Sequence, residues 1–178
     1  MANPPIVAGS SVSAVAEKSE KTYAQFVGFE IDGQEYAFRI EQIQEIVILP
    51  KVTPVPQAPD FCEGVSNLRG AIIPIINLRK LFGLKPIPPN AETRTIVVNV
   101  GEQTMGCTVD MVSQVIRIPQ DNIQPTPEAL VTDGMDYVIG FGKLEERLLV
   151  LVDINRLLGS GQIEQVRPIS LGVERELP

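Results

Sequence analysis

Apolar and polar residues alternate through Thr22–Ile31, where Tyr23, Val27, Phe29 and Ile31 share one face and predict a strand. Asp32-Gly33 follows, a dipeptide suited to a type I′ turn because both central residues need positive φ. Tyr36, Phe38 and Ile40 then alternate with Ala37, Arg39 and Glu41, giving the return strand. From Ile40 the spacing changes. Ile40, Ile43, Ile46 and Val47 recur at three to four residues, which predicts one short helical turn or a tightly wound loop. Pro50, Pro54, Pro56 and Pro59 then end regular structure and stiffen the crossing. A second hairpin is predicted from Phe61–Leu68, a turn at Arg69-Gly70 and the buried strand Ala71–Ile76. Pro74 is expected there at a position whose missing N–H no ladder partner needs. Asn77 is placed to N-cap a short helix over Leu78–Phe82, with Gly83 as its C′ residue.

The same pattern returns. Shifted by 69 positions, Tyr36–Val47 lies over Met105–Ile116, with apolar residues coinciding at 36/105, 38/107, 40/109, 43/112, 46/115 and 47/116, and Glu41 on Asp110. Shifted by 76, Phe61–Gly83 lies over Tyr137–Gly159, with agreement at 64/140, 68/144, 72/148, 75/151 and 83/159 among others. The Pro-rich loop recurs as Pro119, Pro125 and Pro127; Lys143–Glu146 is the second turn, Leu148–Val152 the second buried strand. Asp153 is the second cap, and Gly159 the second C′ residue after a helix over Ile154–Leu158. Alternation alone makes some agreement easy, but order, spacing and turn residues all recur, so the core is read as two copies of one unit. Many short strands with turns about every ten residues predict a mainly β protein of two small barrels. The expected organisation is a flexible tail over 1–21, one barrel unit over 22–90, a second over 91–159 and an extension over 160–178. In that extension Ile163, Val166 and Ile169 suit a short amphipathic turn or helix.

Composition narrows the chemistry. The 178 residues include no His and no Trp, which removes Ser-His-Asp and Cys-His nucleophiles and the commonest zinc ligand. The net charge of −7 belongs mostly to the core, where 17 acidic residues face 11 basic ones between Thr22 and Gly159. That balance argues against nucleic-acid binding, which needs clustered Lys and Arg. Cys62 and Cys107 have no metal-type spacing and are expected to be reduced, with Cys107 buried because it falls on Phe38 in the repeat. No signal peptide and no bilayer-length apolar run are legible, so the expected protein is cytoplasmic, without direct membrane insertion. No phosphate loop, dinucleotide fingerprint or calcium loop is present; Asp133/Asp136 and Glu145/Glu146 read as solvated turn residues rather than an acid/base pair. No catalytic residue, cofactor or metal is expected.

Arg69 stands out instead. It is a guanidinium on a stiff turn between apolar strands, and its repeat partner is Glu145, so the fold unit does not require it. Glu45 reads most simply as a solvated charge and Ile43 and Ile46 as core, Ile43 being the more exposed. The functional reading puts Glu45 and Arg69 on one rim beside an apolar groove between the barrels, suited to a partner helix.

The run Gly64-Val-Ser-Asn-Leu-Arg-Gly-Ala-Ile-Ile-Pro-Ile-Ile-Asn-Leu-Arg resembles the signature of the bacterial chemotaxis coupling protein CheW family. Tyr36–Ile46, Gly106–Val115 and Leu149–Leu158 match the family's further elements in order, so the resemblance covers about Thr22 to Gly159. It implies two SH3-like five-stranded barrels and a non-enzymatic adaptor. The family bridges the cytoplasmic tip of a methyl-accepting chemotaxis receptor to the regulatory domain of the histidine kinase CheA, in membrane-associated receptor arrays. Carried over by motif position, Ile43, Glu45, Ile46, Asn67 and Arg69 fall in the receptor- and kinase-coupling region, while Ile139, Gly140, Lys143 and Glu145 form a kinase-facing end. The alternative within the family is coupling in a twitching-motility or other chemosensory-like pathway. From other classes, a small-ligand-binding barrel or an acid/base enzyme stays open. Without a long amphipathic helix or heptad run, the isolated protein is expected to be monomeric.

Overall fold

The computed structural model describes residues 22–130 and 136–159; the expected tail, the extension with Ile163, Val166 and Ile169, and Asp133 lie outside them. The chain runs through β1 (Tyr23–Ile31), β2 (Gln34–Arg39), a 3-10 turn (Ile40–Gln42), β3 (Ile43–Ile48), β4 (Cys62–Leu68), β5 (Ala71–Asn77) and α1 (Leu78–Leu81). It continues through β6 (Arg94–Val100), β7 (Gln103–Val109), β8 (Met111–Pro119), a 3-10 turn (Gln120–Asn122), β9 (Ile123–Gln124) and a third 3-10 turn (Glu128–Leu130). It ends with β10 (Val138–Leu144), β11 (Arg147–Val152) and α2 (Ile154–Gly159).

The predicted turns and caps form. Asp32 and Gly33 have φ of 54° and 80°, joining β1 to β2 through a two-residue loop. Asn77 and Asp153 accept hydrogen bonds from the backbone N–H of Lys80 and Arg156, the capping geometry that orphan helix donors need. Gly83 takes the left-handed conformation after α1, whereas Gly159 closes α2 from inside the helix. Pro74 sits opposite Val65 one residue before β5 begins its parallel ladder with β7 at Ile75, a place where a missing donor is tolerated.

Two sheets form, ordered β8-β1-β2-β11-β10-β9 and β3-β6-β7-β5-β4. Each curls into a barrel, because strands at opposite ends of the order share one interior. Ile118 of β8, Ile123 of β9 and Leu149 of β11 meet inside the first, and Val47 of β3, Leu68 of β4 and Ile75 of β5 inside the second. The halves 22–90 and 91–159 therefore do not each make their own barrel. The first barrel takes β1 and β2 from the first half, and the second takes β6 and β7 from the second half. The exchange is reciprocal down to register. Ile43, Ile46 and Val47 face Val98, Ile96 and Thr95; their repeat counterparts Val112, Val115 and Ile116 face Phe29, Val27 and Phe26.

Strand exchange explains why simple alternation understates burial. One face of β1 lines the first barrel while the other packs on the second, so Phe26 and Phe29 are both fully buried although they lie on opposite faces, and Tyr23 at the strand's start is exposed. The largest core lies between the barrels and holds Phe29, Phe38, Ile76, Ile96, Cys107 and Val152. Burial of such side chains stabilises by about 1.5–3 kcal/mol each. Cys62 and Cys107 are free thiols in this core. They sit on strands either side of Ile76, so their backbones are about 9–10 Å apart, beyond disulfide reach. Burial pushes the Cys107 thiol up to about 12.

The expected helical turn shrinks to Ile40–Gln42, and Ile43–Val47 is strand. Its helix-like spacing has another cause: a bulge at Gln44 inserts one residue, so Ile43 and Ile46, three apart, both lie on the face turned to the other barrel. The exposures are the reverse of the expectation. Ile43 packs against the inter-barrel core, and Ile46 is 40% exposed.

Candidate functional site

Glu45 and Arg69 come together. The bulge in β3 turns Glu45 onto the side of Val97, toward the opening of the second barrel, and the β4–β5 turn carries Arg69 to it. Arg69 Nη2 lies 2.9 Å from Glu45 Oε1; the arginine side chain is 77% exposed and the glutamate 17%. At that exposure the pair contributes about 0–1 kcal/mol, so it orients two side chains more than it holds the fold. Asn67 acts on the turn itself: its side-chain oxygen accepts the N–H of Gly70 at 2.9 Å. Arg69 and Gly70 have φ of 53° and 89°, the two left-handed residues of a type I′ turn. An arginine there is held against a backbone preference of about 1–2 kcal/mol, and such strain collects at functional positions.

Ile46 is the visible end of a buried row. It pairs across the sheet with Ile96, then Cys107, Ile76 and Cys62, and those four are buried between the barrels. Val115 ends the matching row through Val27, Phe38, Val152 and Val138. The interior between the barrels is thus filled by core, and the apolar surface beside Glu45 is the strand edge that carries Ile46, with Ile48 further along it at 73% exposure.

The second predicted set divides. Gly140 is buried where β9 crosses β10, and a Cβ there would lie 2.6 Å from the Gln124 carbonyl oxygen. Ile139 packs against the first barrel's core and lines a cavity with Asp136, Asp153 and Arg156. Lys143 and Glu145 are at another opening of that barrel, lined also by Gln114, Arg117 and Arg147. The residues expected to face the kinase do not form one cluster.

One arrangement escaped the sequence reading. Arg79 of α1 bonds Asp110 through Nε at 2.9 Å, Asp32 through Nη2 at 3.2 Å and the Lys85 carbonyl through Nη1 at 2.8 Å. Asp110 in turn accepts the Asp32 N–H at 2.8 Å. The Asp110 bond, with both carboxylates nearby, outweighs desolvation and raises the Arg79 pKa, so the guanidinium stays charged. The network fastens α1 to the β1–β2 turn and borders a cavity of about 490 Å³ between the Pro50–Pro54 and Pro86–Pro89 segments. The second copy has a simpler link at the same place: Asn155, the counterpart of Arg79, accepts the N–H of Gly101, the counterpart of Asp32. Among the described residues no helix is long and apolar enough to cross a membrane.

Two interlocked SH3-like barrels that bring polar pairs and apolar strand edges to their openings define a double-barrel scaffold, built for contact with other macromolecules. The CheW-like domain family matches residues 25–162. The chain is 39% identical to the chemotaxis protein CheW of Klebsiella aerogenes over 158 residues, covering 88% of this chain and 95% of that protein. It is also 39% identical to CheW of Helicobacter pylori over 149 residues, 84% and 89% of the two chains. The crystal structure of the scaffolding protein TtCheW from Thermoanaerobacter tengcongensis superposes with a TM-score of 0.72 at 30% identity, over 79% of this chain and 96% of that one. The chain belongs to the CheW family, the coupling adaptors of chemotaxis.

Proposed function

We propose that this chain couples the cytoplasmic tip of a methyl-accepting chemotaxis receptor to the regulatory domain of the histidine kinase CheA, without catalysis of its own, on the cytoplasmic side of the membrane in receptor arrays. The observation that carries the site is the Glu45–Arg69 pair, held on a strained turn beside the exposed edge residue Ile46. Glu45, Ile46 and Arg69 are the contact residues in this reading; Ile43 seats the strand and Asn67 sets the turn. Lys143 and Glu145 face the kinase, with Ile139 and Gly140 supporting the strand that leads to them. Interfaces of this kind use a small apolar centre and a charged rim that fixes orientation.

The test is paired. Arg69→Glu should change stability by less than about 1 kcal/mol in a thermal melt, as an exposed ion pair predicts. In a reconstitution of receptor, kinase and adaptor it should lower kinase activation at least about tenfold, since a reversed charge at a contact costs more than 1.4 kcal/mol. A folded variant that activates the kinase normally removes Arg69 from the coupling surface.

A further inference from the structure

The repeat supplies an internal control for the opening of the first barrel. Gln114, Glu145, Lys143 and Arg147 occupy the positions of Glu45, Arg69, Asn67 and Ala71, and Arg117 that of Ile48. In the second barrel these positions carry one cation and one carboxylate, already joined at 2.9 Å. In the first, a cavity of about 600 Å³ is lined by Arg117, Lys143 and Arg147 against the single carboxylate Glu145. On a chain of net charge −7 this grouping of three cations at one opening is out of character, even with Glu146 beside Glu145 in the turn.

The three cations are not equally committed. Arg147 is 3.4 Å from Glu35, which neutralises part of its charge. Arg117 is held 4.7 Å above the Tyr23 ring, an arrangement that fixes its direction and leaves its charge in place. Lys143 is exposed and has no ion-pair partner among the described residues. Beside them Val115 and Leu148 are 57% and 53% exposed, so the rim is apolar as well as cationic.

We infer that this opening is a docking site for an acidic segment of a partner protein that also carries an apolar side chain. Charge complementarity selects the carboxylates, and Val115 with Leu148 selects the apolar residue. Two or three cations are too few to follow a nucleic-acid backbone on a chain this acidic. The inference deepens the proposed role of Lys143 and Glu145, and it rests on the adaptor reading for the occupant being a protein.

The experiment titrates the isotope-labelled full-length chain with a capped Glu-Glu-Leu-Glu-Glu peptide and follows backbone amide shifts. Shifts should be confined to Val115–Arg117 and the Lys143–Leu148 segment, with Glu45 and Arg69 unmoved. Lys143→Glu and Lys143→Ala should each weaken the peptide Kd, the first by about tenfold or more, and higher salt should weaken it further. Lys51→Glu should leave it unchanged, and a Leu→Ser peptide should bind less tightly. Equal shifts at both openings, no shift at millimolar peptide, unchanged affinity in both Lys143 variants, or equal shifts from inorganic phosphate would each overturn the inference. Neither receptor nor kinase enters this assay, so a negative result leaves the coupling role to the reconstitution.

Discussion

The two barrels share backbone geometry position by position and fill it with different chemistry. The bulges of β3 and β8, both parallel junctions and the turns at Arg69-Gly70 and Glu145-Glu146 fall in the same register, and Arg69 and Glu145 even share a φ of 53°. Yet Phe26 and Ala37 inside the first barrel correspond to Thr95 and Gly106 inside the second. The first opening gathers three cations, and the second carries the Glu45–Arg69 ion pair. What recurs is what backbone sterics demand: positive φ in turns, close approaches at crossings and apolar rows between sheets. Side chains at the openings bear no such constraint and have diverged, which makes them the place to look for function.

The paired crossing glycines differ in backbone conformation. Gly64 and Gly140 are counterparts at the crossings beneath Thr53 and Gln124, but only Gly64 has positive φ, 141°. A Cβ at Gly64 would collide with the Thr53 carbonyl oxygen, whereas that at Gly140 would stand 2.6 Å from its neighbour. Gly64→Ala should therefore destabilise by about 3 kcal/mol or more and Gly140→Ala by about 1–3 kcal/mol in denaturant unfolding. Equal losses would mean that the crossings alone set the cost.

The buried thiol gives the next effect. Cys107 stands where the first copy has Phe38, and burial raises its pKa from 9.0 to about 12. The unfolded chain releases this proton first, so its contribution to stability is intact below pH 9 and is lost as pH rises from 9 toward 12. The slope should approach 1.4 kcal/mol per pH unit in that window. Cys107→Val should flatten it, and the native thiol should resist labelling at neutral pH.

Smaller effects sharpen the contrast between interiors and between turns. The Thr95 hydroxyl is buried with no hydrogen-bond partner, so Thr95→Val should stabilise by about 1 kcal/mol, read as a higher Tm. At the turn, Arg69→Asn puts a residue that tolerates left-handed φ in place of one that does not. It should hold or raise stability by about 0.5 kcal/mol despite losing the ion pair.

The turns, the caps, the burial of Cys107 and the duplication were legible because each follows from local chemistry or from spacing. Partner choice was not. Alternation marks a strand without saying which strand it joins, so the barrels were expected to follow the halves when they exchange β1–β2 for β6–β7. The bulge at Gln44 gave β3 a helical spacing, which also reversed the exposures of Ile43 and Ile46. The functional reading of the residues put Glu45 and Arg69 on one rim, and the structure shows them paired. The Arg79–Asp110–Asp32 network joins three distant segments through an arginine whose side chain is only 11% exposed, and nothing in its local sequence marks it as buried.

Strand exchange also sets the order in which this chain can acquire its shape. The parallel junction of β2 with β11, where the Gln34 side chain reaches the Leu148 carbonyl, joins residues 114 positions apart. A ribosome must release nearly the whole core before the first hairpin finds its neighbours, and closing so long a loop before any contact repays it slows folding. Cutting the chain between β5 and β6 would leave two fragments, each with strand edges meant for the other. The described chain passes from one barrel to the other twice, at β2–β3 and at β7–β8, so neither barrel hangs from a single connection.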